Sequence, residues 1–446
     1  MRFVNKDNNK IIHNRLMGWT IHAYVDPNFK DYNEVDDIYN MCDNVALLYM
    51  WNKLEPEEGK FDFKYLDEAI EKYTKMGKNI HFRISTDPMI YNGANGVPEW
   101  LFKNYKVKYQ VREDYGTKMI YPDYLNKTYQ EKLSNFLKVL AARYGNLENL
   151  VQVDLRGYGE WGEWHSGYMH KSLKKHHQAL KEIIQIWVEA FKDYNIPLAM
   201  SCSYEWRADL PFNLHAPKSL KEYEYFQAID YALKQKNVTF RRDGIGGAIK
   251  YYEMELMRAY YKNGLHPMTG EFFIAYLTSL KHEDGVRGYH IEDAIEEALY
   301  LHPNYLMLPW DSVAFYKERQ DLVKYGLLKM GYRLFPKVID VEINNNQVLI
   351  LQKWTNTACG KLTGKHNLLI KLVDENGKSI EIVDDSFEPI KILENTIYKH
   401  QNTIDISNLS KKIAIYMAIV DEKGRFVNLP LDEKIDNYYK VADFVK

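Results

Sequence analysis

The chain has 446 residues, 46% hydrophobic and 27% charged, the make-up of a folded globular protein and more than one ordinary core holds. Lys plus Arg (59) nearly balance Asp plus Glu (61) and no long basic block occurs, which argues against an electrostatic footprint for nucleic acid. No apolar run reaches ~18 residues, so no membrane partner is expected, and three scattered cysteines (Cys42, Cys202, Cys359) make neither a disulfide framework nor a metal-binding pair.

Short strand-like runs alternate with helix-like stretches through about residue 330. Residues 15–24 read as a first strand and 44–51 as a second. Phe63, Leu66, Ile70 and Tyr73 then recur at helical spacing, and Gly77 stands where that helix ends. Residues 78–85 form a third strand. A long loop follows, then an amphipathic helix over 124–145 with Tyr129, Leu133, Phe136, Leu137 and Leu140 on one stripe. Residues 147–157 are a fourth strand running into GYGEWGEWH (157–165), and 196–204, 238–247, 264–273 and 305–312 hold the fifth to eighth. Eight strands interleaved with helices predict a (β/α)8 TIM barrel, class α/β. No Gly-rich phosphate fingerprint follows the first strand, which argues against a dinucleotide fold.

From 338 onward the pattern changes to period-2 apolar runs split by NNN, ENG and EKG turns. That predicts a C-terminal antiparallel β-sandwich, with a barrel over 1–332 and an accessory domain over 333–446. Met1 to Lys6 has no apolar stretch of the signal-peptide kind, so a cytoplasmic location is expected unless a leader was removed.

Barrel enzymes carry their chemistry at the C-terminal ends of the strands. Those places hold Trp19 and His22 on the first strand and Arg83 on the third. The fourth is followed by Glu160, Trp161, Glu163, Trp164 and His165. Glu205 and Trp206 follow the fifth. The sixth carries Arg241-Arg242-Asp243, of which Arg242 and Asp243 are the candidate sugar ligands. Glu271 ends the seventh, and Trp310 and Asp311 follow the eighth. Carboxylates among tryptophans and arginines are what glycosidic cleavage needs. One acid protonates the leaving oxygen, and a second carboxylate attacks the anomeric carbon or activates water. No HExxH or His/Asp cluster has metal spacing, so neither metal nor cofactor is expected.

Residues 51–84, WNKLEPEEGKFDFKYLDEAIEKYTKMGKNIHFRI, resemble the second βα unit of clan A glycoside hydrolases, especially the β-galactosidase-like ones. The part beginning MGYRLFPKVIDVEI resembles the β-sandwich that follows such barrels in bacterial proteins. The resemblance implies an acid/base Glu after strand four and a nucleophile Glu ending strand seven. Those places hold Glu163 (or Glu160) and Glu271, 108 residues apart. It also implies an oligosaccharide substrate, a β-galactoside first, and retention of configuration. One departure stands out: the clan carries Asn before its acid/base Glu, whereas Gly159 and Gly162 precede the two candidates here. Other readings stay open. Asp243 or Asp311 could be the second carboxylate. The barrel could bind sugar without cleaving it, or act as a lyase on an acidic sugar through Arg83, Arg156, Arg241 and Arg242.

Overall fold

The alternation in the barrel strands sorts two kinds of residue onto two faces. In the computed structural model, which describes residues 1–25, 36–87, 95–114, 117–164, 173–201, 227–247, 251–273, 275–280 and 290–446, eight parallel strands close a barrel. They are β1 (Gly18–Tyr24), β2 (Cys42–Met50), β3 (Asn79–Ser85), β4 (Leu150–Leu155), β5 (Leu198–Ser201), β6 (Val238–Ile245), β7 (Thr269–Phe272) and β8 (Tyr305–Met307). β8 pairs with β1 in the register Tyr305↔Gly18, which completes the cylinder.

Val45, Leu47, Ile80, Phe82, Ile84, Val153, Leu155 and Phe240 face outward into the shell of helices. The helix Lys127–Tyr144 meets them with Leu133, Phe136, Leu137 and Leu140, the stripe its sequence marks. Its first turn is capped by Asn126, whose side chain accepts the Tyr129 N–H. The intervening positions face inward: Ala46, Leu48 and Met307 form a small interior cluster with Tyr24 and Trp310.

Between β3 and that helix the sequence reads as a loop. The chain instead forms a helix, Glu99–Tyr105, and an antiparallel hairpin, Tyr109–Asp114 with Thr117–Pro122. Charged residues interrupt the hairpin's apolar alternation and hide it from a pattern search.

Behind the barrel, two antiparallel sheets face each other. One holds Arg2–Val4, Leu334–Asn344, Gln347–Asn356 and Tyr398–Asp405. The other is built on His366–Asp374, Lys412–Asp421 and Tyr438–Val445. Ile339, Val341, Val348, Ile350 and Trp354 of the first meet Leu368, Ile370, Ile413, Ile415 and Met417 of the second. The N-terminal strand belongs to this unit: Arg2 pairs opposite Asp340. The unit docks on the barrel through polar clamps. The Lys361 ammonium donates to the carbonyls of Tyr261 (2.5 Å) and Gly264 (2.6 Å) at the end of the helix Tyr251–Asn263. Within the unit, the Arg333 guanidinium holds Asp7 of the N-terminal segment at 2.5 Å.

Candidate active site

The segment after β4 turns sharply. Gly157, Gly159 and Gly162 take positive φ, and so do Trp161 (52°) and Trp164 (69°), a conformation that costs a non-glycine residue about 1–3 kcal/mol. Two of the glycines are required by close approach. A side chain at Gly157 would strike the Thr86 hydroxyl, and one at Gly162 would collide with the Asp87 carboxylate. The turn is pinned from behind. The Trp164 indole N–H donates to the Leu155 carbonyl at 2.8 Å, and the Gly159 N–H donates to the Tyr124 hydroxyl at 3.2 Å. Tyr158 in turn bonds His176 Nδ1 at 2.7 Å. The result swings Glu163 over the barrel mouth.

There it joins a network that runs across the barrel interior. Arg241 of β6 is at its centre. Its Nη1 lies 3.6 Å from Glu163 Oε1, and its Nη2 pairs with Glu271 Oε2. Its Nε lies 3.4 Å from Asp154 Oδ2, and its Nη2 lies 3.9 Å from Asp243 Oδ2. Arg83 of β3 sits beside it, with Nε 3.0 Å from Asp154 and Nη1 3.2 Å from the other Glu271 oxygen. The two catalytic candidates, from β4 and β7, are therefore spanned by a single guanidinium. Glu163, Glu271, Asp154 and both arginines are buried, while the Asp243 side chain keeps 22% of its surface at the mouth.

His22 closes the β1 side. Its Nδ1 is 3.3 Å from Arg83 Nη1, its Nε2 is 3.7 Å from Glu271, and its ring stacks on Trp310 at 4.0 Å. Burial and the two guanidiniums push the imidazole pKa well below its usual value, so it stays neutral. Behind Glu163, Asp87 faces Arg156 at 3.5 Å. Burial raises the Asp87 carboxyl to about 6; Arg156 pulls it back, and the Glu163 charge adds to the rise. Burial also lowers the Arg241 guanidinium, and neighbouring Arg83 adds to that.

The structure gathers His22, Arg83, Glu163, Asp243, Glu271 and Trp310 into one site. Trp161 is half-buried on the same turn, and Asp311 follows Trp310 with φ 64°. Three expectations are corrected. Trp19 points outward, fully buried, with its indole N–H on the Val323 carbonyl and its ring against Gly326 and Phe315. Trp164 is a buried strut rather than a sugar platform. Arg242 also faces out of the barrel, toward Glu297 on the helix Ile291–Tyr300. His165, Glu205 and Trp206 lie outside the described residues, as does the side chain of Glu160. Glu55 is a structural brace: its carboxylate accepts from the Trp51 indole (2.8 Å) and the Gly59 N–H (2.9 Å).

Sequence reasoning passed over Asp154 and chose Arg242 over Arg241. The phase of the strands carries the signal. Val238 and Phe240 must face the helices, which turns Thr239, Arg241 and Asp243 inward. In the same way Val153 and Leu155 turn Gln152 and Asp154 inward.

Residues 40–195 match the family model Glyco_hydro_42, described as beta-galactosidase. That stretch holds Arg83, Asp154 and Glu163; Arg241, Asp243 and Glu271 lie beyond it. The chain is 26% identical over 216 residues to the β-galactosidase GanA of Bacillus subtilis, covering 47% of this chain and 28% of that one. It is 34% identical over 109 residues to the β-galactosidase Pbg of Clostridium perfringens, covering 23% and 14%. The aligned part is thus less than a third of either relative's length. Among solved structures, endo-glycoceramidase II from Rhodococcus sp. is similar with a TM-score of 0.40 and 14% identity, covering 90% of this chain and 99% of that one. A β-galactosidase from Rahnella sp. R3 gives a TM-score of 0.41 and 11% identity, covering 69% and 51%.

Proposed function

We propose that this protein is a glycoside hydrolase of the β-galactosidase type, with Glu163 as acid/base and Glu271 as nucleophile. The observation that carries the reading is the meeting of Glu163 from the end of β4 and Glu271 from the end of β7 on one buried guanidinium. The similarity of residues 40–195 to the β-galactosidase model supports it. In this mechanism Glu163 gives its proton to the glycosidic oxygen as the C–O bond breaks. Glu271 bonds the anomeric carbon, and a water that Glu163 deprotonates then releases the sugar. Arg83 and Arg241 fix the attacking carboxylate and hold its charge. Trp310, backed by His22, offers a ring face to the sugar's C–H groups at the mouth.

One observation favours a second reading, a sugar-binding protein without turnover. Both Glu271 oxygens are ion-paired, and a carboxylate so held is a weaker nucleophile. The test is Glu271→Ala against aryl β-galactosides and related glycosides, with and without azide. Catalysis predicts loss of about 10³-fold or more in kcat, and azide restores turnover as a glycosyl azide of inverted configuration. Tight galactoside binding by the wild type with no turnover would establish the second reading instead. The lyase reading loses ground because Arg83 and Arg241 are committed to Asp154 and Glu271, and Arg156 to Asp87.

A further inference from the structure

Glu271 is held in a way that works against its proposed role. A guanidinium meets each of its oxygens: Arg83 Nη1 donates to Oε1 at 3.2 Å, and Arg241 Nη2 pairs with Oε2. A carboxylate loses its charge as it bonds the anomeric carbon, so cations beside it stabilise the ground state more than the transition state. Two of them make a stable anion and a slow nucleophile, unless their charge is drawn off elsewhere.

Asp154 of β4 is placed to draw it off. Its Oδ2 lies 3.0 Å from Arg83 Nε and 3.4 Å from Arg241 Nε. Each arginine is thus gripped twice, at Nε by Asp154 and at a terminal nitrogen by Glu271. Asp154 is itself tied to the strand that carries the nucleophile. Thr269 of β7, two residues before Glu271, donates to Gln152 Oε1 at 2.8 Å, and Gln152 Nε2 donates to Asp154 Oδ1 at 3.4 Å. All of these side chains are buried. The two arginines stand between Asp154 and Glu271, so the effect of one carboxylate on the other passes through them.

We propose that Asp154 is a positioning residue for the nucleophile: by pairing with Nε of both Arg83 and Arg241 it draws their charge away from Glu271, which keeps that carboxylate fixed in place yet reactive. This rests on the reading of Glu271 as nucleophile. The Arg241 guanidinium responds in the same sense: burial and then Arg83 push its pKa down, and Asp154 leads the groups that raise it. The two steps of the reaction feel Asp154 in opposite directions. When Glu271 bonds the anomeric carbon, the leaving oxygen departs with the electrons of the broken bond, and the carboxylate charge is lost. When water displaces Glu271, its oxygen bonds the anomeric carbon and its proton goes to Glu163. The electrons of the broken ester bond return to Glu271, and its charge is restored. Removing the Asp154 charge leaves the arginines more positive toward Glu271. The first step then slows, and the second does not.

The test is Asp154→Asn, which keeps the shape and removes the charge, with Asp154→Ser as a second variant should Asn disturb folding. The probe is a dinitrophenyl 2-deoxy-2-fluoro glycoside of the sugar that wild type turns over, galactose first. Its leaving group departs without a proton, so the acid does not enter the rate, and the fluorine slows release enough for the two steps to be timed separately. Wild type should be labelled on the peptide that carries Glu271. In the variant the labelling rate at saturation should fall about tenfold or more, with the half-saturating concentration within about twofold of wild type. The labelled variant, freed of excess probe, should regain activity at least as fast as labelled wild type. A damaged site slows both steps, so reactivation that falls together with labelling overturns the proposal, as does a labelling rate less than about tenfold below wild type. Wild type that is neither labelled at Glu271 nor active on any aryl glycoside overturns the nucleophile reading and the proposal with it. Wild type labelled at Glu271 beside an indifferent variant overturns the proposal alone.

Discussion

The two interiors of this molecule are built on opposite terms. Between the sandwich sheets lie isoleucines, leucines, valines and Trp354, each contributing by area removed from water. At the same depth the upper barrel holds Arg83, Asp154, Arg241 and Glu271 on strands whose outer faces are as apolar as the sandwich core. Burying ion pairs gains little stability over apolar side chains of the same volume, so a chain that does it in one interior and not the other is not doing it for stability. The difference supports the proposed site at the barrel mouth, independently of any family likeness.

The sharpest way to break that contrast is Arg241→Met. The change takes a shared guanidinium away from buried Glu163, Glu271 and Asp154. The expected cost is about 5 kcal/mol at pH 7, the upper end for orphaning a buried charge. It should shrink below pH 5 as the carboxyls take up protons, and activity should be lost across the whole range. Urea unfolding at both pH values measures it. A loss under about 1 kcal/mol would mean that water already screens the network and that the interior is not the low-dielectric site its burial implies.

In the sandwich the matching cut is Trp354→Ala. The indole is fully buried against Phe387, and its N–H donates to Gln352 at 2.8 Å. The expected cost is about 3–4 kcal/mol, insensitive to pH, with kcat unchanged in the molecules that remain folded. A fall in kcat without a fall in folded fraction would tie the sandwich directly to the site.

The same contrast explains what the sequence makes legible. Both sets of strands advertise themselves through their apolar faces, so the barrel's eight segments and the period-2 runs after 338 are readable one at a time. Polar inward positions are not. Thr239, Arg241 and Asp243 look like a loop approaching until Val238 and Phe240 set the phase, and the adjacent Arg242 invites an error of one residue. Trp164 cannot be told from a sugar platform by type, because only the turn's positive φ angles send it inward while Glu163 goes to the mouth. Arg2–Val4 gives no local signal at all. Three residues pair with a strand more than 330 positions away, and nothing near them in the chain predicts the partner.

The smallest effect lies on the barrel floor. His81, one inward position below Arg83 on β3, is buried with its ring edge-on to Tyr305 at 4.6 Å. Burial drives its pKa down to about 4, Asp154 pulling it up and Arg83 opposing. The folded pKa is below the unfolded value of about 6.5, so the stability linked to this group is intact above pH 6.5 and drains away as pH falls toward 4. Between pH 7 and pH 5 the drain is about 2 kcal/mol, because the unfolded chain gains a proton that the barrel refuses. His81→Gln should therefore flatten the acid side of the urea stability curve by about that amount relative to wild type, whatever it does to stability at pH 7. If the two curves run parallel from pH 7 to pH 5, the imidazole takes up its proton in the folded barrel as readily as in the unfolded chain. At pH 5 Asp154 would then face a third cation beside Arg83 and Arg241.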